Sequence, residues 1–443
     1  MNKSLKAPLL VSAILSSSFA FAGAAHGQAF YLQEQSTRGQ GRAFSGEGAD
    51  TGASSLWWNP AAIAGMERGE AVIGASAIIP KGDVVDNGTL IRRPTLPGGP
   101  VQTFQPVGGD RVSSDPINRG VVPSGAVAIP LNDRVAVGLA VTSPYSFTTE
   151  YNTTSWARYS ALKTELRTID IQPSIGIAVL DWLRVGGALN VEYTKAELGN
   201  ALPNVLATLP DGYQRLKGDG WDLGWSAGVQ LHNDWATVGI SYKSRIKHNL
   251  KGSLEVGGLL GPLATQNRTI DGATATFYTP AQIIVAGRFR ATDKLTLNAQ
   301  AVRFTWADFD AIRLGAPINT AIPENYKNSF SLAGGFDYAA TDRLTVRAGV
   351  QRGITPTQNG NRDARVPDAN RWNYSIGGSY KVTPRLTLDA AGSYIDFANA
   401  PIDRRTAAYN GTILATPILT NGQVQNAKAF VASIGRASCR ERV

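Results

Sequence analysis

The sequence predicts an all-β fold: a transmembrane barrel of fourteen antiparallel strands with an N-terminal hatch inside its lumen. Three observations predict it. A turn motif recurs six times, the segments between turns alternate apolar and polar residues, and the chain opens like an exported protein. The turns are Asn132-Asp133-Arg134, Asp181-Trp182-Leu183, Asn233-Asp234-Trp235, Thr292-Asp293-Lys294, Thr341-Asp342-Arg343 and Thr383-Pro384-Arg385, each leading straight into a strand. They lie about fifty residues apart, room for two strands and one long loop per repeat. Short periplasmic turns opposite long outer loops are the mark of an outer-membrane-type barrel.

Residues 1–27 read as a signal peptide. Lys3 and Lys6 give a basic start, residues 9–21 are mostly apolar, and Ala25-His26-Gly27 offers a cleavage site, with Ala22-Gly23-Ala24 as a rival. A membrane anchor is the other reading, but the apolar run is shorter than the roughly 20 residues a spanning helix needs. Charges interrupt every later apolar stretch. A closed barrel pairs its own backbone groups and crosses lipid without such a run. The 47 glycines, 14 tyrosines and 9 tryptophans suit alternating strands with aromatic girdles, although a large soluble β-sandwich would share that composition.

The barrel is assigned to residues 69–435. Val135, Val137, Leu139 and Val141 alternate with Arg134, Ala136, Gly138 and Ala140. Trp221, Leu223, Trp225, Ala227 and Val229 alternate with Asp222, Gly224, Ser226 and Gly228. With a wide polar lumen, the apolar set faces lipid. Two strands around each of six turns make twelve; residues 69–80 and 425–435 add one at each end. Around residues 301–304 the alternation slips, and a β-bulge is expected to keep Arg303 off the lipid face. The last strand is expected to stop near Ile434. Residues 436–443 then form an atypical tail that neither alternates nor ends in an aromatic residue.

Residues 28–68 do not alternate. They carry several glycines and Trp57-Trp58-Asn59-Pro60-Ala61. Fourteen strands enclose a lumen that side chains alone do not fill, so a compact segment folded inside is the economical reading. A disordered leader is the alternative, disfavoured because tryptophan-rich segments seldom stay unfolded.

The segment Arg42-Ala43-Phe44-Ser45-Gly46-Glu47-Gly48-Ala49, followed by Asn59-Pro60-Ala61, resembles the start of FadL-type long-chain fatty acid transporters and their relatives for aromatic hydrocarbons. Thr149-Glu150-Tyr151-Asn152 before the fourth strand and Val366-Pro367-Asp368-Ala369-Asn370-Arg371-Trp372 entering the twelfth extend the resemblance over nearly the whole mature chain. It implies a hatch carried by Arg42, Gly46, Glu47, Asn59, Pro60 and Ala61. It also implies passive transport: capture by apolar outer loops, a pocket closed by the hatch, and release through an opening in the wall. The non-aromatic C-terminus departs from the family pattern.

Two outer loops are unexpectedly apolar. Leu202, Val205, Leu206 and Leu209 in one, and Leu259 and Leu260 in the next, are candidate ligand contacts, since exposed apolar segments often mark a hydrophobic ligand surface. Packing of loop on loop is the competing reading. A carboxylate ligand would need a lumenal cation. Alternation places Lys243, Arg245, Arg288, Lys327, Arg347 and Arg371 inside, with Lys327 and Arg245 the candidates for ligand contact and Lys195 on the outward face with Tyr193. Most lumenal cations are expected to pair with carboxylates such as Asp170, Asp222, Asp337 and Asp389.

Other classes find little support. One cysteine, Cys439, excludes an internal disulfide framework. His232 and His248 sit in no catalytic or metal-ligand pattern, and no phosphate-binding loop appears. The net charge of +9 is dispersed rather than gathered into a nucleic-acid face. No enzyme activity, cofactor, metal or nucleic acid is expected. The expected partners are hydrophobic small molecules, outer-membrane lipids and lipopolysaccharide, and the barrel-assembly machinery, for a monomer in the outer membrane of a Gram-negative bacterium. Fatty acids are the favoured cargo. Neutral aromatic hydrocarbons are the alternative, and a general diffusion porin or adhesion barrel is the competing class.

Overall fold

The computed structural model describes residues 29–440, so the expected signal peptide lies outside the described residues. Fourteen antiparallel spans close into a barrel. They are β1 (Gly69–Asp86), β2 (Gly120–Pro130), β3 (Val135–Thr142, resuming as Ser146–Glu150), β4 (Lys163–Leu180), β5 (Leu183–Leu202), β6 (Gly212–His232) and β7 (Ala236–Lys243, then Ile246–Gly257). The circuit continues with β8 (Arg268–Thr279, then Gln282–Arg290), β9 (Leu295–Phe304), β10 (Ser329–Ala339), β11 (Leu344–Gly353), β12 (Arg371–Thr383), β13 (Leu386–Phe397) and β14 (Gly422–Arg440). β14 pairs with β13 on one side and with β1 on the other, which removes the sheet edge.

All six short turns fall where the repeat puts them. In five of them, all but the Asp181 turn, the residue before the acidic or proline position accepts from the backbone that follows. Asn132 Oδ1 accepts from the Arg134 and Val135 amides at 2.9 and 2.8 Å, and Asn233 Oδ1 does the same for Trp235 and Ala236. Thr292 and Thr341 cap their turns through Oγ1. These side chains satisfy amides that a tight hairpin leaves without a ladder partner.

The alternation also holds. Trp221, Leu223 and Trp225 are exposed on β6, whereas Ser226 and Gln230 are buried toward the lumen. Among the described residues no helix is long and apolar enough to cross a membrane; the strands do the crossing.

Two expectations near the strand ends are corrected. No bulge occurs at 301–304: β9 runs in unbroken register with β8 and β10, with Arg303 opposite Ile283 and Phe330. Arg303 is exposed on the outer wall, at the long-loop end of its strand, where its guanidinium need not enter hydrocarbon. Nor does the last strand stop near Ile434. It runs on to Arg440, and Arg436, Ala437, Ser438 and Cys439 face Ile73, Val72, Ala71 and Glu70 of β1. The long β1 offers backbone groups that need partners, and a ladder forms whatever the side chains are.

Residues 29–68 fill the lumen as short turns: a helix at Thr37–Gln40 and 3-10 segments at Glu47–Ala49, Ala53–Ser55 and Pro60–Ile63. Asn59 caps the last of these, accepting from the Ala61 amide at 2.9 Å and donating to the Gly48 carbonyl at 2.7 Å. Pro60 occupies its first turn, where its missing N–H costs nothing. The wall makes room for this backbone. A Cβ built at Gly239 would overlap the Gly48 carbonyl, and one at Gly186 would overlap Pro60.

Candidate functional site

A buried ionic network bolts the hatch to the wall. Arg42, fully buried, pairs with Glu47, with Asp50 at 2.6 Å and with Asp337 of β10 at 3.3 Å. Asp337 also binds Arg347, and Arg288 at 3.1 Å, while Arg288 approaches Asp50 at 3.5 Å. Burial alone would raise the Asp50 carboxyl; Arg288, Arg38 and Arg42 outweigh it and hold the group well below the usual carboxylate range. Gly46 adopts φ +78° within this knot, a left-handed conformation natural to glycine. All six expected hatch residues, Arg42, Gly46, Glu47, Asn59, Pro60 and Ala61, are buried in or beside this plug.

Above the hatch lies an apolar pocket with about 780 Å³ of empty space, mouth included. Leu166 of β4, Ala196 and Leu198 of β5, Leu216 of β6, Leu250 of β7 and Phe277 of β8 form its wall. Phe309, Ile312 and Val366 enter from the loops, and Phe30 comes from the N-terminal segment. Phe30 anchors an aromatic cluster, stacking on Phe147 at 5.7 Å and meeting Trp306 edge-on at 4.9 Å.

Charge sits along part of this lining. Arg365 approaches Asp363 at 3.7 Å and donates to Asn200 at 3.4 Å, but its buried Nε has no acceptor. Glu324, also in the lining, lies 3.7 Å from Arg404. Burial, aided by Asp363 and opposed by Arg404, pushes Glu324 up to about 7.

The wall is interrupted beside Phe30. β3 turns inward at Ser143-Pro144-Tyr145, where Pro144 has no N–H to give a neighbouring strand. β2 meets β3 only from Gly125 to Pro130. Contact resumes farther along, where Asn118 donates to the Thr148 carbonyl at 2.9 Å. Between these points the N-terminal segment takes the partner's place: Leu32 donates to Pro144, Ser146 to Phe30, and Tyr31 bridges Tyr145. The Ala29 amide is tied to Asp368 at 2.8 Å.

The expected ligand residues are not in this pocket. Leu202, Val205 and Leu259 are buried with Leu263 in a separate cluster beside Leu96 and Leu414 of other loops. Leu206 and Leu260 are exposed and Leu209 is half-buried. Packing of loop on loop therefore accounts for the buried members. Lys327 and Arg245 face outward, against expectation. Residues 324–328 are not strand, with Asn325 at φ +52°, and Tyr326 takes the inward place instead. At Ser244–Arg245 the β7 ladder breaks, and Arg245 turns out to Asp308 at 2.8 Å. Lys243, Arg288, Arg347 and Arg371 do face inward, Lys243 donating to Gln172 at 2.9 Å over the Trp57 ring. Phe30, Phe147, Phe309 and Arg365 went unread, although Arg365 directly precedes the Val366-Pro367-Asp368 motif.

The profile of the family described as outer membrane protein transport protein (OMPP1/FadL/TodX) matches residues 17–433. A 47 kDa outer membrane protein of Pasteurella multocida is 29% identical over 400 residues, covering 84% of this chain and 88% of that one. The long-chain fatty acid transport protein of Escherichia coli K12 is 25% identical over 406 residues, covering 83% and 87%. The crystal structure of a Pseudomonas aeruginosa FadL homologue superposes with a TM-score of 0.78 at 25% identity, covering 93% of this chain and 99% of that one. With a hatch-filled barrel, an apolar lumenal pocket and a profile match over nearly its whole length, the chain belongs to the OMPP1/FadL/TodX family of outer-membrane transporters of hydrophobic compounds.

Proposed function

We propose that the protein carries long-chain fatty acids passively across the outer membrane, through the lumenal pocket and out by the interruption between β2 and β3. One observation carries the reading: an apolar pocket whose wall includes Phe30, on the same N-terminal segment that closes the interruption. Each buried methylene contributes about 0.8 kcal/mol, so a long acyl chain gains much here while a sugar gains little. Ligand that displaces Phe30 would also disturb the Phe30–Ser146 and Leu32–Pro144 hydrogen bonds, coupling occupancy to the exit. Arg365, with one unused donor, favours an acid over a neutral hydrocarbon. The apolar loops around Leu206 and Leu260 remain exposed enough for first contact.

Uptake by cells lacking their own transporter tests this, comparing oleate, toluene and a small sugar. Oleate uptake is expected to rise with sugar entry unchanged. A rise in toluene alone would favour the aromatic cargo, and sugar entry alone would favour a porin.

A pH dependence follows from Glu324. Below about pH 7 it is protonated, and a ligand carboxylate near Arg365 meets one negative charge fewer. Oleate affinity is expected to rise roughly threefold to tenfold from pH 8 to pH 6, the scale of one partly screened charge interaction. Glu324→Gln should flatten the profile, Arg365→Ala should weaken oleate at both pH values, and toluene binding should change in neither variant. Fluorescence titration of the purified protein at the two pH values reads all three.

A further inference from the structure

The outer wall of β4 to β7 carries an ordered array of charge, of which Glu165 and Lys217 also reach the pocket lining. Strand register sets out its rows. Ile169, Tyr193 and Trp221 lie side by side, with the Tyr193 and Trp221 rings 5.2 Å apart. Aromatic rings on the outside of a barrel mark the boundary of the hydrocarbon. Two residues farther toward the long loops, about 7 Å along each strand, comes the row Arg167, Lys195, Asp219 and Lys251. That is the depth of lipid headgroups.

The next rows hold the carboxylates that occupy the other cations. Glu165 pairs with Lys163 at 2.9 Å and with Arg167 at 2.8 Å. Glu197 gathers Lys163, Arg215 and Lys217 at 3.4 to 3.9 Å. Lys195 and Lys251 are exposed, flank Asp219, and have no ion pair among the described residues. Neither lines the pocket. Two ammonium groups are thus left without a close ion pair directly above an apolar, aromatic strip, Lys195 acting on Glu165 only at longer range.

We infer that this face binds the phosphate groups of the outer-leaflet glycolipid, with Lys195 and Lys251 on the phosphates and Tyr193, Trp221 and Leu223 against its acyl chains. A lipid is the neighbour that a barrel wall meets at this depth. Clustered Lys and Arg beside a membrane-spanning element select anionic headgroups, and a bis-phosphorylated disaccharide offers two phosphates to two cations held on either side of β6, two strand spacings or about 9–10 Å apart. The glycolipid would thereby order the rim of β4 to β7, the strands that form much of the pocket wall.

Native mass spectrometry of the purified protein with bis-phosphorylated lipid A tests this, with bis-dephosphorylated lipid A and phosphatidylglycerol as comparators. Wild-type protein is expected to retain lipid A at least tenfold better than either comparator. Lys195→Glu with Lys251→Glu should lose that excess, and the milder Lys195→Gln with Lys251→Gln should lose most of it. Heat-modifiable gel migration confirms that each variant is a folded barrel. Equal retention by wild type and a folded variant, or of phosphorylated and dephosphorylated lipid A, would overturn the assignment. Equal retention of phosphatidylglycerol would reduce the site to a general anionic-lipid surface and overturn it as well.

Discussion

Asp337→Ala is expected to loosen the hatch and open the barrel to ions. The carboxylate is shared by Arg42 of the hatch and by Arg288 and Arg347 of the wall. Its removal leaves three buried guanidiniums facing one another with only Glu47 and Asp50 to neutralise them. Breaking a buried pair from one side costs about 3–5 kcal/mol, because the remaining charge keeps its desolvation penalty and loses its partner. Much of that cost falls on the hatch, since Arg42 belongs to the hatch and Arg288 and Arg347 are fixed in the wall. In planar bilayers the variant should show frequent open events where the wild type is closed. Asp337→Asn keeps the shape without the charge and should fall between the two. Closed traces from a correctly folded Asp337→Ala barrel would show that the other contacts between hatch and wall suffice, among them Gln230 to Asp50, Ser241 to Trp58 and Asn59 to Val229.

Ala275→Trp is expected to lower uptake at least tenfold while the barrel still folds. Ala275 lies on β8 and points into the pocket beside Phe277 and Ala273. A tryptophan there occupies space that is empty in the wild type, so it displaces ligand rather than overpacking a filled core. Ala299→Trp is the matched control. Ala299 is exposed on the outer wall of β9, where another aromatic ring is well accommodated and uptake should hold. Uptake of radiolabelled oleate measures both variants, and equal uptake by Ala275→Trp and wild type would place the ligand elsewhere.

The barrel was legible in the sequence because its two signals are local. Asn132, Asn233, Thr292 and Thr341 cap their own turns, and alternation along Trp221 to Val229 needs only neighbours. Parity succeeded for Lys243, Arg288 and Arg347, which lie within continuous ladders. It failed for Arg245 and Lys327, because a two-residue break at Ser244–Arg245 and an irregular stretch at 324–328 reset the phase. No alternation count anticipates such breaks. The tail was misread for the opposite reason: residues 436–440 lack a strand pattern, yet the length of β1 determines where pairing ends.

The pocket was not legible. Its aromatic residues come from the N-terminal segment, β3, β8 and a loop, and nothing in sequence brings Phe30, Phe147, Phe277 and Phe309 together. Apolar loops were the visible feature, so Leu202, Val205 and Leu259 stood out, and they turn out to cover one another. The hatch motif was readable as a family resemblance; what it holds on to was not, because Asp337 and Arg288 are spaced hundreds of residues from Arg42 along the chain.

The central claim is that hydrophobic ligand occupies the lumenal pocket floored by Phe30. A crystal structure with a bromine-tagged long-chain fatty acid tests it most directly. Anomalous signal from bromine is expected inside the ring of Phe30, Leu250, Phe277 and Phe309, with the carboxylate within reach of Arg365. Signal confined to the Leu202–Leu259 loop cluster or the outer wall, with the pocket empty, would contradict the account.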